Sequence, residues 1–263
     1  MILQIDRLSC IGGRKTNDDT AMACQQEDSA WVYVGDGLGA YAGGKQASGA
    51  AGEPLMELCR RESFLPRERM VQGAEAADQA VKAVQQRTGG AMKTTMVFLA
   101  AEGNQARWMH VGDSRLYRFR DGRLLTQTQD HSVSQMAVLM GEITPQQIRF
   151  HEDRSRLLRA LGAESSKPDI SEAEELLQGD RFLLCTDGFW EYVTEEEMEQ
   201  TLARAESPED WLRDMERILT GRAPGDCDNY TAAAVFCGEE KPSLLGRLRK
   251  AIGRKESKRE WKR

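Results

Sequence analysis

Four aspartates in this chain share one kind of position. Asp36 follows the run Trp31-Val-Tyr-Val-Gly35 and has glycine on both sides. Asp113 follows Arg107-Trp-Met-His-Val111, within Gly112-Asp113-Ser114-Arg115. Asp187 follows Arg181-Phe-Leu-Leu-Cys185, within Thr186-Asp187-Gly188. Asp228, with Asn229, precedes Tyr230-Thr-Ala-Ala-Ala-Val-Phe-Cys237. Apolar, aromatic and β-branched runs of this length read as buried strands, so each carboxylate is expected at a strand boundary. One such Asp reads as an ordinary turn residue. Four in the same position suggest one shared site. Clustered carboxylates repel one another and tolerate it when cations sit between them. Hard oxygen ligands with no His or Cys nearby favour Mg²⁺ or Mn²⁺ over Zn²⁺.

The elements that must hold these carboxylates are legible around them. Residues 2–8 read as a first strand, residues 9–19 as a polar loop, and 21–24 as a second strand before the one ending at Asp36. Glycines at 37, 39, 43 and 44 permit a tight loop. Helices are expected at 45–61 and 66–87. Strands return at 95–100, 106–111, 116–120 and 124–127, with Gly103-Asn104 and Asp121-Gly122 as hairpin turns. Four strands in succession argue for antiparallel pairing. A helical period resumes over 131–161, interrupted around Gly141 and Pro145, and helices follow at 195–205 and 208–219. Gln129-Asp130-His131-Ser132 reads as a helix start capped by Asp130 or Ser132. Phe189 and Trp190 read as core aromatics. Strand runs flanked by helix pairs predict an α+β fold of two packed, mostly antiparallel β-sheets with helical layers outside.

Bulk properties narrow the class. With 263 residues, 40% of them hydrophobic, the chain can bury a large core. No run approaches the ~18 apolar residues of a membrane span. No secretory signal is visible at the N-terminus. The six cysteines (10, 24, 59, 185, 227, 237) show no C-x-x-C pair and read as reduced thiols of a cytoplasmic protein. The net charge of −6 is uneven: residues 241–263 carry ten Lys/Arg against two Glu, so the rest carries −14. An acidic body argues against nucleic-acid binding. A cysteine-based phosphate chemistry needs Arg six positions beyond the Cys, and none of the six has it.

The segments Gly35-Asp-Gly-Leu-Gly39 with Gly43-Gly-Lys-Gln-Ala-Ser48, Val111-Gly-Asp-Ser-Arg-Leu-Tyr117, Gln129-Asp-His-Ser132, Cys185-Thr-Asp-Gly-Phe-Trp190 and Asp228-Asn-Tyr-Thr231 resemble, in order and spacing, the motifs of the PP2C (PPM) family. These are metal-dependent protein serine/threonine phosphatases, here of the compact bacterial type. The resemblance covers roughly residues 1–238 and implies one phosphatase domain there, with residues 239–263 as a basic tail. It implies a β-sandwich with helical layers and two Mg²⁺ or Mn²⁺ ions at one end, between the sheets. Asp36 would bridge the ions, with the Gly37 carbonyl completing one shell, and Asp187 and Asp228 would hold the other. Asp113, with Asp187, matches the position that can hold a third ion. Arg14 would bind the phosphate, its planar fork suiting phosphate oxygens. Asp18, in place of the family's usual Glu, and Asp19 would orient water. The implied reaction is attack of metal-bound hydroxide on phosphoserine or phosphothreonine, with no phosphoenzyme. Two features depart from the family. The loop Leu38-Gly-Ala-Tyr41 has no His to act as general acid, and Lys93 stands before Thr94-Thr95 where a Gly is usual. Phosphorylated proteins, among them a bacterial Ser/Thr kinase and its substrates, are the implied partners, and a monomer is expected. A non-catalytic phosphoprotein-binding module is the alternative. The tail has Leu244, Leu248 and Ile252 at helical spacing among Arg247, Arg249, Lys250 and Arg254. It fits packing on the acidic body, peripheral contact with an anionic membrane surface, or binding to a partner protein.

Overall fold

A computed structural model describes residues 1–39 and 43–238. Strands β1 (Ile2–Cys10), β2 (Thr20–Gln26), β3 (Ser29–Gly35) and the short β4 (Gly37–Leu38) lead into helices α1 (Gly43–Leu58) and α2 (Arg67–Thr88). A short β5 (Lys93–Thr94) precedes β6 (Met96–Glu102), β7 (Gln105–Val111), β8 (Arg115–Arg120) and β9 (Arg123–Gln127). Helix α3 (Val133–Leu139) and a 3₁₀ helix at Pro145–Phe150 come next, then two-residue strands β10 (Asp169–Ile170) and β11 (Glu174–Glu175). The fold closes with β12 (Arg181–Cys185), α4 (Asp187–Trp190), α5 (Glu195–Leu202), α6 (Pro208–Arg222) and β13 (Tyr230–Gly238).

One sheet runs β1-β13-β12-β8-β9 and the other β10-β7-β6-β3-β2, with β11 on β7; β4 and β5 form a separate ribbon. Every pairing is antiparallel, as expected. The apolar strands are continuous rather than alternating because both of their faces are buried. In β3, Val32 and Val34 enter the layer between the sheets, whereas Trp31 and Tyr33 face α1 and α2. In β12, Phe182 and Leu184 point between the sheets and Leu183 and Cys185 face α5 and α6. This period of two builds three apolar layers and a helix–sheet–sheet–helix sandwich. Removing a side chain from the middle layer, as in Phe182→Ala, would cost about 3–5 kcal/mol.

Some elements differ from expectation. The four successive strands do not form one sheet: β6 and β7 belong to one and β8 and β9 to the other. The chain changes sheets at Gly112-Asp113-Ser114, where Gly112 takes φ +99°. The helical period over 131–161 yields only α3 and the 3₁₀ helix. Gly141 (φ +77°) ends the first, and the backbone beyond Phe150 makes isolated local turns and bonds to other segments instead of a helical ladder. Leu158 N donates to His131 O (2.7 Å), and Thr94 and Leu161 exchange backbone bonds (3.2 and 2.9 Å). Asp121 (φ +52°) and Gly122 (φ +74°) make the expected two-residue turn. Ser132, not Asp130, caps α3, accepting from Gln135 N.

Candidate active site

The register brings the strand-end aspartates to one end of the sandwich. Val34 pairs with Val97 and Val111 with Met96, so β3 and β7 both end beside the start of β6. Cys185 pairs with Arg115 and with Ala232, so the end of β12 meets the starts of β8 and β13. A cleft of about 560 Å³ opens there. Arg14, Asp18, Asp36, Gly37, Asp113, Asp187 and Asp228 all line it. Asp19 lies beneath, 1% exposed, accepting from Thr186 Oγ1 at 2.8 Å.

Local contacts fix each residue. The Asp36 peptide is held from both sides: its N–H donates to Thr95 Oγ1 (2.8 Å), and its carbonyl accepts from Thr95 N (2.9 Å) and Thr94 Oγ1 (2.8 Å). Thr95 Oγ1 in turn meets Ser114 Oγ at 2.6 Å, beside Asp113. Gly37 must be glycine because a Cβ there would lie 2.0 Å from Gly44 O. That close approach seats the start of α1 against the site. The Asp113 carbonyl accepts from the Trp190 indole at 3.0 Å, and the Arg115 guanidinium stacks 3.5 Å over the Trp190 ring. Trp190 is therefore a core residue that also anchors Asp113. Gly12 (φ +58°) lies where a Cβ would meet Asp228 O at 2.2 Å, which packs the Arg14 loop on the start of β13.

Asn229, quoted in the sequence motif but given no role there, organises this loop. Its Oδ1 accepts from Asp18 N (2.8 Å), and its Nδ2 donates to Ile11 O (2.8 Å) and Thr16 O (2.9 Å). The identity of Asn229 next to a strand-end Asp was the only signal for that function. Arg14 donates to Asp228 through two bonds, Nε to Oδ1 (3.0 Å) and Nη2 to Oδ2 (2.8 Å). Both side chains are about half exposed, at 54% and 48%. Pairs as open as this one contribute only about 0–1 kcal/mol, so Arg14 can leave Asp228 for a phosphate.

The electrostatics are those of a cation site. Burial, then the charges of Asp187 and Asp19, pushes the Asp36 carboxyl well above the usual carboxylate range. Burial, then Asp113 and Glu191, does the same to Asp187. Burial pushes Asp113 up to about 7, with Asp130 adding to it, and Asp19 up to about 6. Among the described residues, Asp18 Oδ1 and Asp19 Oδ1 are buried without a hydrogen-bond partner. Like charges gathered with unpartnered oxygens and no His or Cys lining the cleft fit a hard divalent ion.

A second set, His110, His131 and Asp169, places its donor atoms within 4.8 Å of one another. Hydrogen bonding argues against an ion there. Gly112 N–H donates to His131 Nδ1 (3.1 Å), so the ring proton is on Nε2, which lies 3.2 Å from Asp169 Oδ2 and acts as donor. The Arg159 guanidinium occupies the same corner, 2.8 Å from Asp169 Oδ1. Burial lowers the pKa of both histidines, that of His110 to about 4. Both rings are neutral; His131 supports Gly112, and His110 donates to the Gln129 carbonyl at 2.7 Å. None of the three histidines lines the cleft, and residues 40–42, including Tyr41, lie outside the described residues. Among the described residues all six cysteines are free, and burial raises the Cys185 thiol far above its ordinary pKa, so a thiolate nucleophile is unsupported.

Known proteins place this geometry. The chain is 30% identical over 239 residues to the serine/threonine protein phosphatase PstP of Mycobacterium tuberculosis, covering 89% of this chain and 45% of PstP. The chain thus spans less than half the length of that relative. It is 26% identical over 248 residues to protein phosphatase PhpP of Streptococcus pneumoniae, covering 90% of this chain and 99% of PhpP. A crystal structure of the PstP catalytic domain in complex with two manganese ions superposes with a TM-score of 0.77 at 30% identity, covering 90% of this chain and 99% of that one. The profile described as protein phosphatase 2C matches residues 8–223, and with the sandwich, the order of motifs and the acidic cleft in agreement, the chain belongs to the protein phosphatase 2C family.

Proposed function

We propose that this chain is a Mg²⁺- or Mn²⁺-dependent phosphatase that hydrolyses phosphoserine and phosphothreonine in proteins. The observation that carries this reading is the cleft itself, in which aspartates from four strand boundaries converge and, among the described residues, Asp36, Asp113 and Asp187 have no ion pair. Two ions held there would supply Lewis acidity toward the phosphate and lower the pKa of water to make a nucleophile at neutral pH. Asp36 and the Gly37 carbonyl would hold one ion, with Asp36 shared between the two, and Asp187 and Asp228 would hold the other. Asp113 would serve a third, weaker one. Thr94 and Thr95 keep Asp36 rigid, so little reorganisation is needed when charge develops. Arg14 exchanges Asp228 for the substrate phosphate, where its fork binds two oxygens. Asp18 and Asp19 accept hydrogen bonds from water and orient it, using the oxygens that lack partners.

The substrates we infer are phosphoproteins of a bacterial Ser/Thr kinase pathway, the kinase included, met in the cytoplasm by a monomer. Among the described residues no helix is long and apolar enough to cross a membrane. The expectations for residues 239–263 lie outside the described residues. Packing on the acidic body, contact with an anionic membrane surface and binding to a partner protein are the three roles we propose for that tail, and co-sedimentation with anionic vesicles separates the second from the others. Hydrolysis of p-nitrophenyl phosphate with Mn²⁺, abolished by chelator and restored by added metal, tests the activity. Metal-independent or absent turnover would favour a phosphoprotein-binding module on this fold.

A further inference from the structure

The catalytic cleft does not end at its aspartates. It shares Leu38, Ser155 and Leu157 with a neighbouring groove of about 670 Å³, so the two are continuous. One wall is the β4–β5 ribbon, in which Leu38 pairs with Lys93. The other is the irregular segment from Ser155 to Ser165. That segment is pinned at both ends, through Ser132 and Leu157 on one side and Thr94 and Leu161 on the other. Gln85 Nε2 adds a bond to Gly162 O at 2.8 Å. The groove is therefore preformed.

Its charges are unequal in what they are free to do. Arg159 is held by Asp169 at 2.8 Å. Glu164 also lines another cavity, together with Arg67 and Lys167. Lys93 is exposed, stands opposite Leu38 and thus near the catalytic cleft, and has no acidic partner among the described residues. Resting on the phosphatase reading, we propose that Lys93 is a specificity-determining residue that reads an acidic side chain in the substrate. The substrate segment lies extended from the cleft into the groove, its apolar neighbours against Leu38 and Leu157. Leu38 is two residues from Asp36. At about 3.3 Å per extended residue, the partner of Lys93 is an Asp or Glu two or three positions from the phosphorylated residue. Lys93 touches no reacting atom, and its contribution falls on substrate binding.

The test compares phosphothreonine peptides carrying Glu, Ala or Lys at two and three positions on either side of the phosphorylated residue, with p-nitrophenyl phosphate as a substrate too small to reach the groove. On one side of the phosphothreonine, the wild type is expected to prefer Glu over Lys by about fivefold in kcat/KM, expressed in KM and weakened by salt. Lys93→Gly should level that preference and Lys93→Glu reverse it, while p-nitrophenyl phosphate turnover stays at the wild-type rate in both. Equal preferences in the wild type and Lys93→Glu, with p-nitrophenyl phosphate turnover intact, would overturn the assignment of Lys93. Loss of p-nitrophenyl phosphate turnover in the wild type would instead overturn the phosphatase reading on which it rests.

Discussion

Strand β12 has an aspartate just beyond each end, and the two are treated in opposite ways. Asp180, wholly buried, accepts from Arg118 Nη2 (2.8 Å), Arg120 Nε (2.7 Å), Arg120 Nη2 (2.9 Å) and Leu177 N (3.1 Å). Burial alone would raise its pKa, but the hydrogen bonds from Arg120 and Arg118 outweigh it and hold the carboxyl below its usual range. At the other end the Asp187 carboxylate has one bond among the described residues, from Gly188 N at 2.7 Å, and is pushed well above the usual range. The same contrast separates Asp130 from Asp113. Asp130 is paired with Arg115 through two short bonds, whereas Asp113, only 3% exposed, has no ion pair among the described residues. This fold neutralises buried carboxylates with arginine where the charge is structural. Where it leaves them bare, the missing positive charge must come from elsewhere, and in this family it is a metal ion.

The contrast can be broken first at the bare end. Asp36→Asn should abolish turnover while circular dichroism shows a folded protein, because an amide bridges two dications poorly. Retention of more than about a tenth of kcat would mean a loss below ~1.4 kcal/mol, too little for a bridging ligand. Asp187→Asn and Asp228→Asn should follow it. At the paired end the effect should appear in stability. Asp180→Asn leaves the buried Arg118 with only its longer 3.4 Å pair to Glu174 and should cost about 3 kcal/mol in urea unfolding, with kcat unchanged.

The metal-free protein offers a finer test through pH. Asp113 has a folded pKa of about 7, above its unfolded value of about 4. The folded state therefore binds the extra proton between these values, and Asp113 lowers stability progressively as pH rises from 4 through 7. Asp113→Asn should stabilise the metal-free protein by about 1 kcal/mol, ~2–4 °C in Tm, above pH 7, and the gain should vanish toward pH 4. A gain that is the same at both pH values would mean that repulsion is not its source. Smallest is the effect at the exposed pair: Arg14→Ala should raise KM more than it changes metal affinity, and Arg14→Lys should restore only part, because one charge cannot replace the fork. Unchanged KM and kcat would make Arg14 a solvated loop residue.

The strand-end aspartates were legible because each borders an apolar run, Asp228 before it and the others after it, and sits beside glycine or asparagine, a local signal. So was the layered fold, since runs buried on both faces cannot belong to a one-sided sheet. What was not legible depends on contacts far apart in sequence. The bonds from Arg14 to Asp228 join residues 214 apart, and Asn229 reaches back 218 residues to Ile11. The segment after Phe150 has a helical period, but His131, Val133 and Thr94 take part of its backbone bonds. Lys93 stood out as a departure from the family, yet its groove exists only because that irregular segment folds against the β4–β5 ribbon. The division of β6–β9 between two sheets is invisible to a pattern of alternation alone.

We propose that the bare carboxylates, and not the paired ones, hold divalent cations. Calorimetric titration of the metal-free protein with Mn²⁺ tests it most directly, run in parallel on the wild type, Asp36→Asn and Asp180→Asn. Two ions bound per wild-type chain, strong loss of binding in Asp36→Asn, and wild-type binding in Asp180→Asn are the predicted results. Absent Mn²⁺ binding in the wild type, or binding that Asp36→Asn leaves intact, would rule out a metal centre on the bare carboxylates.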